Sequence, residues 1–235
     1  MIPIATWAAH HIKPVASIPW YLAGGQIALS DVIAAWNFKD PINYANDLVG
    51  SLHLTSSTAG GTIAPSSTGL VLSGKAIYTA YSPASFPLTL FLYGRNILNT
   101  ASCGFGLAST VDVGTYANIL LGTTTNTSFG FYRGSWELPN LTFESVTAGV
   151  GDKTGCFVMQ DGNSANARLY VNGSLEDSTP SEIFTGISLS DINRIGLGGL
   201  VRSSPILYPG TFYNAALYSS ALTASQVAAL HTATS

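Results

Sequence analysis

Twelve acidic side chains stand among 235 residues, and their spacing is the first test of what chemistry the chain could perform. Hydrolysis of a glycosidic bond needs two carboxyl groups facing each other across the sugar. On a strand, that means acids at alternate positions. Here the acids are dispersed: Glu176-Asp177 point to opposite faces, and Glu137 and Glu144 are too far apart to be read as a pair. No Gly-x-Ser-x-Gly elbow occurs, and neither Cys103 nor Cys156 lies beside a histidine in sequence, which leaves only a spatial pairing open. His10-His11 would point in opposite directions in an extended segment and lack the spacing that converges on zinc. His53 and His231 are isolated and read as structural. The expectation is a chain without an enzymatic site.

Sugar binding asks for something else, namely aromatic platforms on a rim or concave face with polar partners. Tyr132, Trp136, Tyr208 and Tyr213 are the candidates, with Arg133 or Asn214 beside them. The competing reading is that aromatics fill the core. Trp136 stands apart, because Gly134-Ser-Trp-Glu-Leu-Pro139 reads as a loop, and loops carry contact residues.

The elements that must position these side chains are mostly strands. Asp31 to Phe38 alternates so that Trp36 and Phe38 share a core-facing side. Short apolar runs at Leu52-Leu54, Leu70-Leu72 and Ala76-Tyr81 alternate with Gly, Ser and Thr clusters, the spacing of an all-β sandwich. Pro87 to Tyr93 is almost continuously apolar, which predicts a central strand covered on both faces. Phe105 to Ala108, Ala117 to Leu121, Phe129 to Tyr132, Gly155 to Met159 and Ile192 to Leu197 continue the pattern. Asn172-Gly173, between Ala167–Val171 and Ser174–Glu176, predicts a type I′ hairpin. From Phe212 to Tyr218 strict alternation places Phe212, Asn214, Ala216 and Tyr218 on one face and Tyr213, Ala215 and Leu217 on the other. Thr223 and Gln226 form a capping box and Leu222 and Val227 a staple for a two-turn helix, Ala224 to His231, which must dock on a sheet.

Three stretches carry a resemblance: Ile33-Ala-Ala-Trp-Asn-Phe-Lys-Asp40, Arg168-Leu-Tyr-Val-Asn-Gly173, and the closing strand with its Ala221-Leu-Thr-Ala-Ser-Gln-Val-Ala-Ala-Leu-His231 helix. In order and spacing they resemble the laminin G-like, concanavalin A-like jelly-roll domains over roughly residues 30 to 232. The resemblance implies an all-β jelly-roll sandwich with one short C-terminal helix, and a lectin-like, carbohydrate-binding role as its commonest function. It also implies a calcium site at the sandwich rim, for which Asp40 with Asp47 or Asn46 are the candidates. Against that, Asp40 precedes Pro41 as a turn former would, and Lys39 stands where the resemblance places an acid. No other cofactor is implied.

Charged residues make up only 9% of the chain, against about a quarter in an ordinary soluble domain. The net charge is −3, and the nine basic residues are scattered, so no basic stripe tracks nucleic acid. Lys13, Pro14 and Pro19 interrupt the apolar start, so no run is long enough to span a bilayer. That start also lacks the basic region and cleavage site of a secretory signal, which places synthesis in a cytosol, and Cys103 and Cys156 read as free, buried thiols. The sequons at Asn126, Asn140 and Asn172 then have no consequence.

Residues 1–29 lie outside the resemblance and read as an extended arm before a 30–235 sandwich, with Gly24-Gly25 as a hinge. Ile4, Trp7, Trp20 and Tyr21 are apolar enough to need a partner surface, either on a neighbouring protein subunit or on the chain's own sandwich. Docked outward, with few charges and a hydroxyl-rich surface, the chain reads as a non-catalytic structural or adhesive subunit of an extracellular assembly, such as a virus or phage decoration, tail or fibre protein. A lectin-like module for cell-surface glycan is the alternative, and a glycoside hydrolase comes third.

Overall fold

The computed structural model describes residues 18–57, 60–96, 102–109, 119–125, 128–133, 140–144, 151–178, 189–190, 192–200, 206–207 and 209–235. Its strands, in chain order, are β1 (Val32–Asn37), β2 (Thr55–Ser56), β3 (Thr62–Ser66), β4 (Gly69–Ser73), β5 (Ile77–Ala80), β6 (Leu88–Asn96), β7 (Ser102–Ala108), β8 (Ile119–Thr125) and β9 (Ser128–Arg133). There follow β10 (Asn140–Glu144), β11 (Gly151–Met159), β12 (Ala167–Val171), β13 (Ser174–Asp177), β14 (Arg194–Leu197), β15 (Gly199–Leu200), β16 (Ile206–Leu207), β17 (Gly210–Tyr218) and the helix α1 (Ala224–Thr234). No helix among the described residues is long and apolar enough to cross a membrane.

The strands form a β-sandwich of two antiparallel sheets. The first runs β13-β12-β11-β6-β17-β4-β3, and β1 pairs with β17 beyond the end of β4. The second runs β10-β9-β8-β7-β14-β5-β2, and β15 and β16 pair separately. Between the sheets Trp36, Phe38, Leu70, Leu72, Leu90, Leu92 and Leu217 meet Phe105, Leu107, Ile195 and Leu197, all within 1% of full burial. Trp36 remains hydrogen-bonded there, its Nε1 donating to the Leu52 carbonyl at 3.1 Å. Burying an indole with its N–H satisfied avoids the desolvation cost of an orphan donor.

The outer face of the first sheet holds a second apolar cluster. Ala35, Phe91, Cys156, Tyr170, Ala216 and Tyr218 are covered by Tyr21, Ala23 and Ile27 from the segment before β1 and by Leu222, Val227 and Leu230 from α1. From Leu88 to Leu92, β6 is thus buried on both faces, as its continuous apolar run predicts. The capping box is present: Gln226 N donates to Thr223 Oγ1 at 3.4 Å, and Thr223 N to Gln226 Oε1 at 2.8 Å. α1 runs three residues beyond the His231 that its sequence predicts, to Thr234, whose buried hydroxyl donates back to the Leu230 carbonyl at 2.9 Å. The Asn172-Gly173 turn has φ of 49° and 79°, the positive pair that type I′ requires.

Three readings change. Leu52-Leu54 is not a strand, and pairing begins at Thr55. The strands β3, β10, β15 and β16 add to those read from the sequence; β3 is a largely exposed edge containing Pro65. The alternation of β17 breaks at a bulge. Phe212 pairs with Gly94 and Asn214 with Tyr93, so Tyr213 is the extra residue and Phe212 joins Ala215 and Leu217 in the inter-sheet core.

Candidate functional site

The two candidate calcium ligands are both engaged by amides. Asp40 Oδ1 accepts from the Ile42 and Asn43 amides at 2.9 and 3.0 Å, and Oδ2 from the Asn43 side chain at 3.1 Å. These bonds, the Asn43 amide first, hold its carboxyl below the usual aspartate value. Asp47 is 7% exposed. Its Oδ1 accepts from Ala35 N at 3.1 Å and Val49 N at 3.0 Å, its Oδ2 from Leu52 N at 3.1 Å, and its own amide donates to His53 Nδ1 at 3.1 Å. Asp47 therefore ties the loop at 47–53 to β1. A cation at either acid would have to displace amide donors. Among the described residues no three His, Cys, Asp or Glu side chains converge to hold a metal ion.

A polar cluster occupies the part of the first sheet's outer face that α1 leaves open. Strands β6 and β11 pair so that Phe91 faces Cys156, Tyr93 faces Thr154 and Arg95 faces Asp152. Along this ladder the face changes from apolar to charged. Arg95 grips Asp152 with two bonds of 2.7 Å, Nε to Oδ1 and Nη2 to Oδ2, and Tyr213 Oη donates to the same Oδ1 at 2.7 Å. The bulge in β17 turns Tyr213 onto this face, where its ring centroid lies 4.6 Å from that of Tyr93. Because Phe38 N donates to the Tyr213 carbonyl at 2.9 Å, the next residue, Lys39, reaches over both rings. Its Nζ lies 5.1 Å from the Tyr93 centroid and 5.2 Å from that of Tyr213. Gly69, at φ 131°, makes room: a Cβ there would come within 2.8 Å of Tyr213 Cδ1 and 2.9 Å of the Phe212 carbonyl.

The electrostatics fix the protonation of this cluster. Arg95 holds the Asp152 carboxyl below its ordinary range, outweighing partial burial, with Tyr213 and Lys39 assisting. Burial and the hydrogen bond to Asp152 push the Tyr213 phenol up. At neutral pH the cluster is one carboxylate, one guanidinium, one ammonium and two neutral phenols. Tyr213 is a candidate that the sequence offers; Lys39, Tyr93, Arg95 and Asp152 are not. Arg95 and Asp152 are separated by 57 residues, and only the β6–β11 register joins them.

At the covered end of the same face, Thr154 Oγ1 lies 3.0 Å from His231 Nδ1 on α1, and burial lowers the His231 pKa. Cys156 is free and buried, and its thiol is pushed up by desolvation. Trp20 and Tyr21 sit here too. The ring of Trp20 is 5.9 Å from Phe91 and 5.7 Å from Tyr21, Tyr218 Oη donates to the Tyr21 carbonyl at 3.2 Å, and Gln226 Nε2 donates to the Gln26 carbonyl at 2.9 Å. Of the two arrangements open for the arm, residues 18–29 take the one against the chain's own sandwich. Gly24-Gly25 belong to the turn Trp20–Gly25, in which Ala23, Gly24 and Gly25 all have positive φ, rather than to a hinge.

Tyr132 and Arg133 end β9, opposite Leu141 and Asn140 of β10. The Tyr132 and Arg133 side chains, Trp136, Tyr208, Ile4, Trp7 and the Cys103 side chain lie outside the described residues.

No protein-family model and no curated protein sequence matches the chain. Solved structures do. Domain 4 of AbnA, a GH43 extracellular arabinanase from Geobacillus stearothermophilus, solved in complex with arabinotriose, superposes with a TM-score of 0.63 at 20% identity, covering 85% of this chain and 98% of that one. Trypanosoma rangeli sialidase gives 0.62 at 15% identity, covering 86% of this chain but only 32% of the sialidase. A structure of botulinum neurotoxin type C, which depends on two ganglioside molecules to enter cells, gives 0.57 at 12% identity over 88% of this chain and 52% of that one. At these identities the likeness is one of fold. It shows that the chain shares the β-sandwich fold of these domains.

These matches correct the expectation of a chain without enzymatic activity. Its fold neighbours include parts of an arabinanase and of sialidases, so the dispersal of its acids along the sequence does not exclude hydrolysis. The physical reason is that a search along one strand finds only acids close in sequence, whereas tertiary pairing joins residues as distant as Arg95 and Asp152.

Proposed function

We propose that this chain is a carbohydrate-binding β-sandwich of the laminin G-like, concanavalin A-like kind. The observation that carries the reading is the match to the arabinotriose-bound AbnA domain over nearly the whole of that domain. A sandwich of this size and layout, with nothing added, is a unit that holds an oligosaccharide in that protein. The three sequence motifs support the narrower family reading, since each occupies the structural place that the resemblance implies: β1 in the core, the β12–β13 hairpin, and β17 running into α1. No observation favours the virion reading over this one.

The test is a glycan array probed with the full chain, including arabinan and ganglioside oligosaccharides, with released reducing ends measured on every glycan that binds. Selective binding to a glycan class is the expected result. Absence of binding across the array, with and without calcium, overturns the reading.

A further inference from the structure

We infer that the cluster of Lys39, Tyr93, Arg95, Asp152 and Tyr213 is a recognition site for the anionic group of an acidic glycan, a sugar carboxylate or sulfate. This rests on the carbohydrate-binding reading and adds where the ligand sits and what charge it carries.

The charges at the site set the first condition. Arg95 and Asp152 neutralise one another in a two-bond pair, so the remaining formal charge is that of Lys39. Among the described residues no carboxylate lies within ion-pair distance of the Lys39 ammonium, which rests over the two tyrosine rings. The rings beneath it are the half-buried Tyr93 and the buried Tyr213, and a cation–π contact engages one side of the ammonium, leaving its outward N–H groups available. An incoming anion meets a donor that has no carboxylate partner among the described residues to give up.

Acceptor geometry sets the second. An aspartate offers about four lone-pair directions. Arg95 takes one on each oxygen of Asp152, and Tyr213 takes a second on Oδ1. One direction remains on Oδ2, a fixed acceptor suited to a sugar hydroxyl. An ammonium for the acid group beside a carboxylate for a hydroxyl is what an acidic sugar presents in complementary form, whereas a simple anion would use only the first. Tyr213 is held in place beforehand by the bulge and Gly69 and Asp152 by its three donors, while the Phe38–Tyr213 backbone bond sets where the Lys39 side chain starts. For Tyr213 and Asp152 little ordering cost is left for binding.

The array serves here too, with neutral, uronic-acid, sialylated and sulfated members. Calorimetry on the best binder then compares the full chain with Lys39→Met and Lys39→Arg. The inference expects binders to be enriched in acidic glycans, with the uronic and sialylated arms against the sulfated arm telling which anion is read. It also expects Lys39→Met to weaken binding about fivefold to tenfold while Lys39→Arg retains it, and affinity to fall with added salt. Thermal unfolding of each variant serves as the check on folding. If binders are neutral, or if Lys39→Met binds the acidic glycan as tightly as the parent chain, this inference fails and the carbohydrate reading stands. If no glycan binds, both fail.

Discussion

The two ends of one sheet face make a natural experiment. At one end of β6 and β11, Phe91 and Cys156 lie under the Trp20–Gly25 turn and α1; two pairs along the same ladder, Arg95 and Asp152 are open, with side chains 52% and 37% exposed. The backbone is alike at both ends. What differs is whether a helix caps the face, and the side chains follow that difference. Under the cap, burial of apolar area favours aromatic and aliphatic groups, while past its edge charged groups keep their hydration and cost little to place. A sheet face can thus be a core at one end and a binding surface at the other, with Tyr93 and Thr154 as the border.

Stability should separate the two ends. Leu230→Ala removes a fully buried side chain beneath α1 and should cost about 2–5 kcal/mol in urea unfolding. An undiminished midpoint would mean that the cap is not part of the cooperative unit. Gly69→Ala acts at the open end through the backbone. A Cβ at φ 131° that also meets Tyr213 should cost about 1–3 kcal/mol and weaken glycan binding by moving Tyr213 off Asp152. Tyr218→Phe leaves the Tyr21 carbonyl without its donor inside the capped cluster, for a loss of about 1 kcal/mol by thermal unfolding.

Acid should loosen the two ends in different windows. His231 has a depressed pKa, so the unfolded chain takes up its proton first as pH falls below 6.5, and stability declines from there through the folded value. His231→Gln should flatten that decline between pH 7 and 5, a range chosen to bracket the ordinary value of about 6.5. Asp152 is also depressed, and its contribution is complete above 3.8 and lost as pH drops through its lower folded value. Asp152→Asn should therefore alter stability least of all, screened as it is by solvent, while still reducing glycan binding in the calorimeter. A large stability loss from Asp152→Asn would show that the open end is structural, and would erase the contrast between the ends.

Much of the sandwich was legible because its signals are local. Trp36 and Phe38 two positions apart, the Asn172-Gly173 pair, and Thr223 with Gln226 each define a geometry within a few residues. The charged cluster was not legible. Tyr213 could be named as an aromatic candidate, but strict alternation set it on one face with Ala215 and Leu217, and a one-residue bulge leaves those two in the inter-sheet core and Tyr213 on the outer face. Asp40 and Asp47 look alike as acids in a loop, yet one turns the backbone at the surface and the other is buried with three amide donors.

The all-β class, the core faces of β1 and β6, the tight hairpin and the capped C-terminal helix can be read along the chain, because period, turn chemistry and capping act between neighbours in sequence. Tertiary structure alone decided that residues 18–29 fold onto their own sheet, that a bulge brings Tyr213 to Asp152, and that Lys39, Arg95 and Asp152 meet. Those outcomes depend on strand register and on which face a helix covers, and both are set by the packing of segments far apart in sequence.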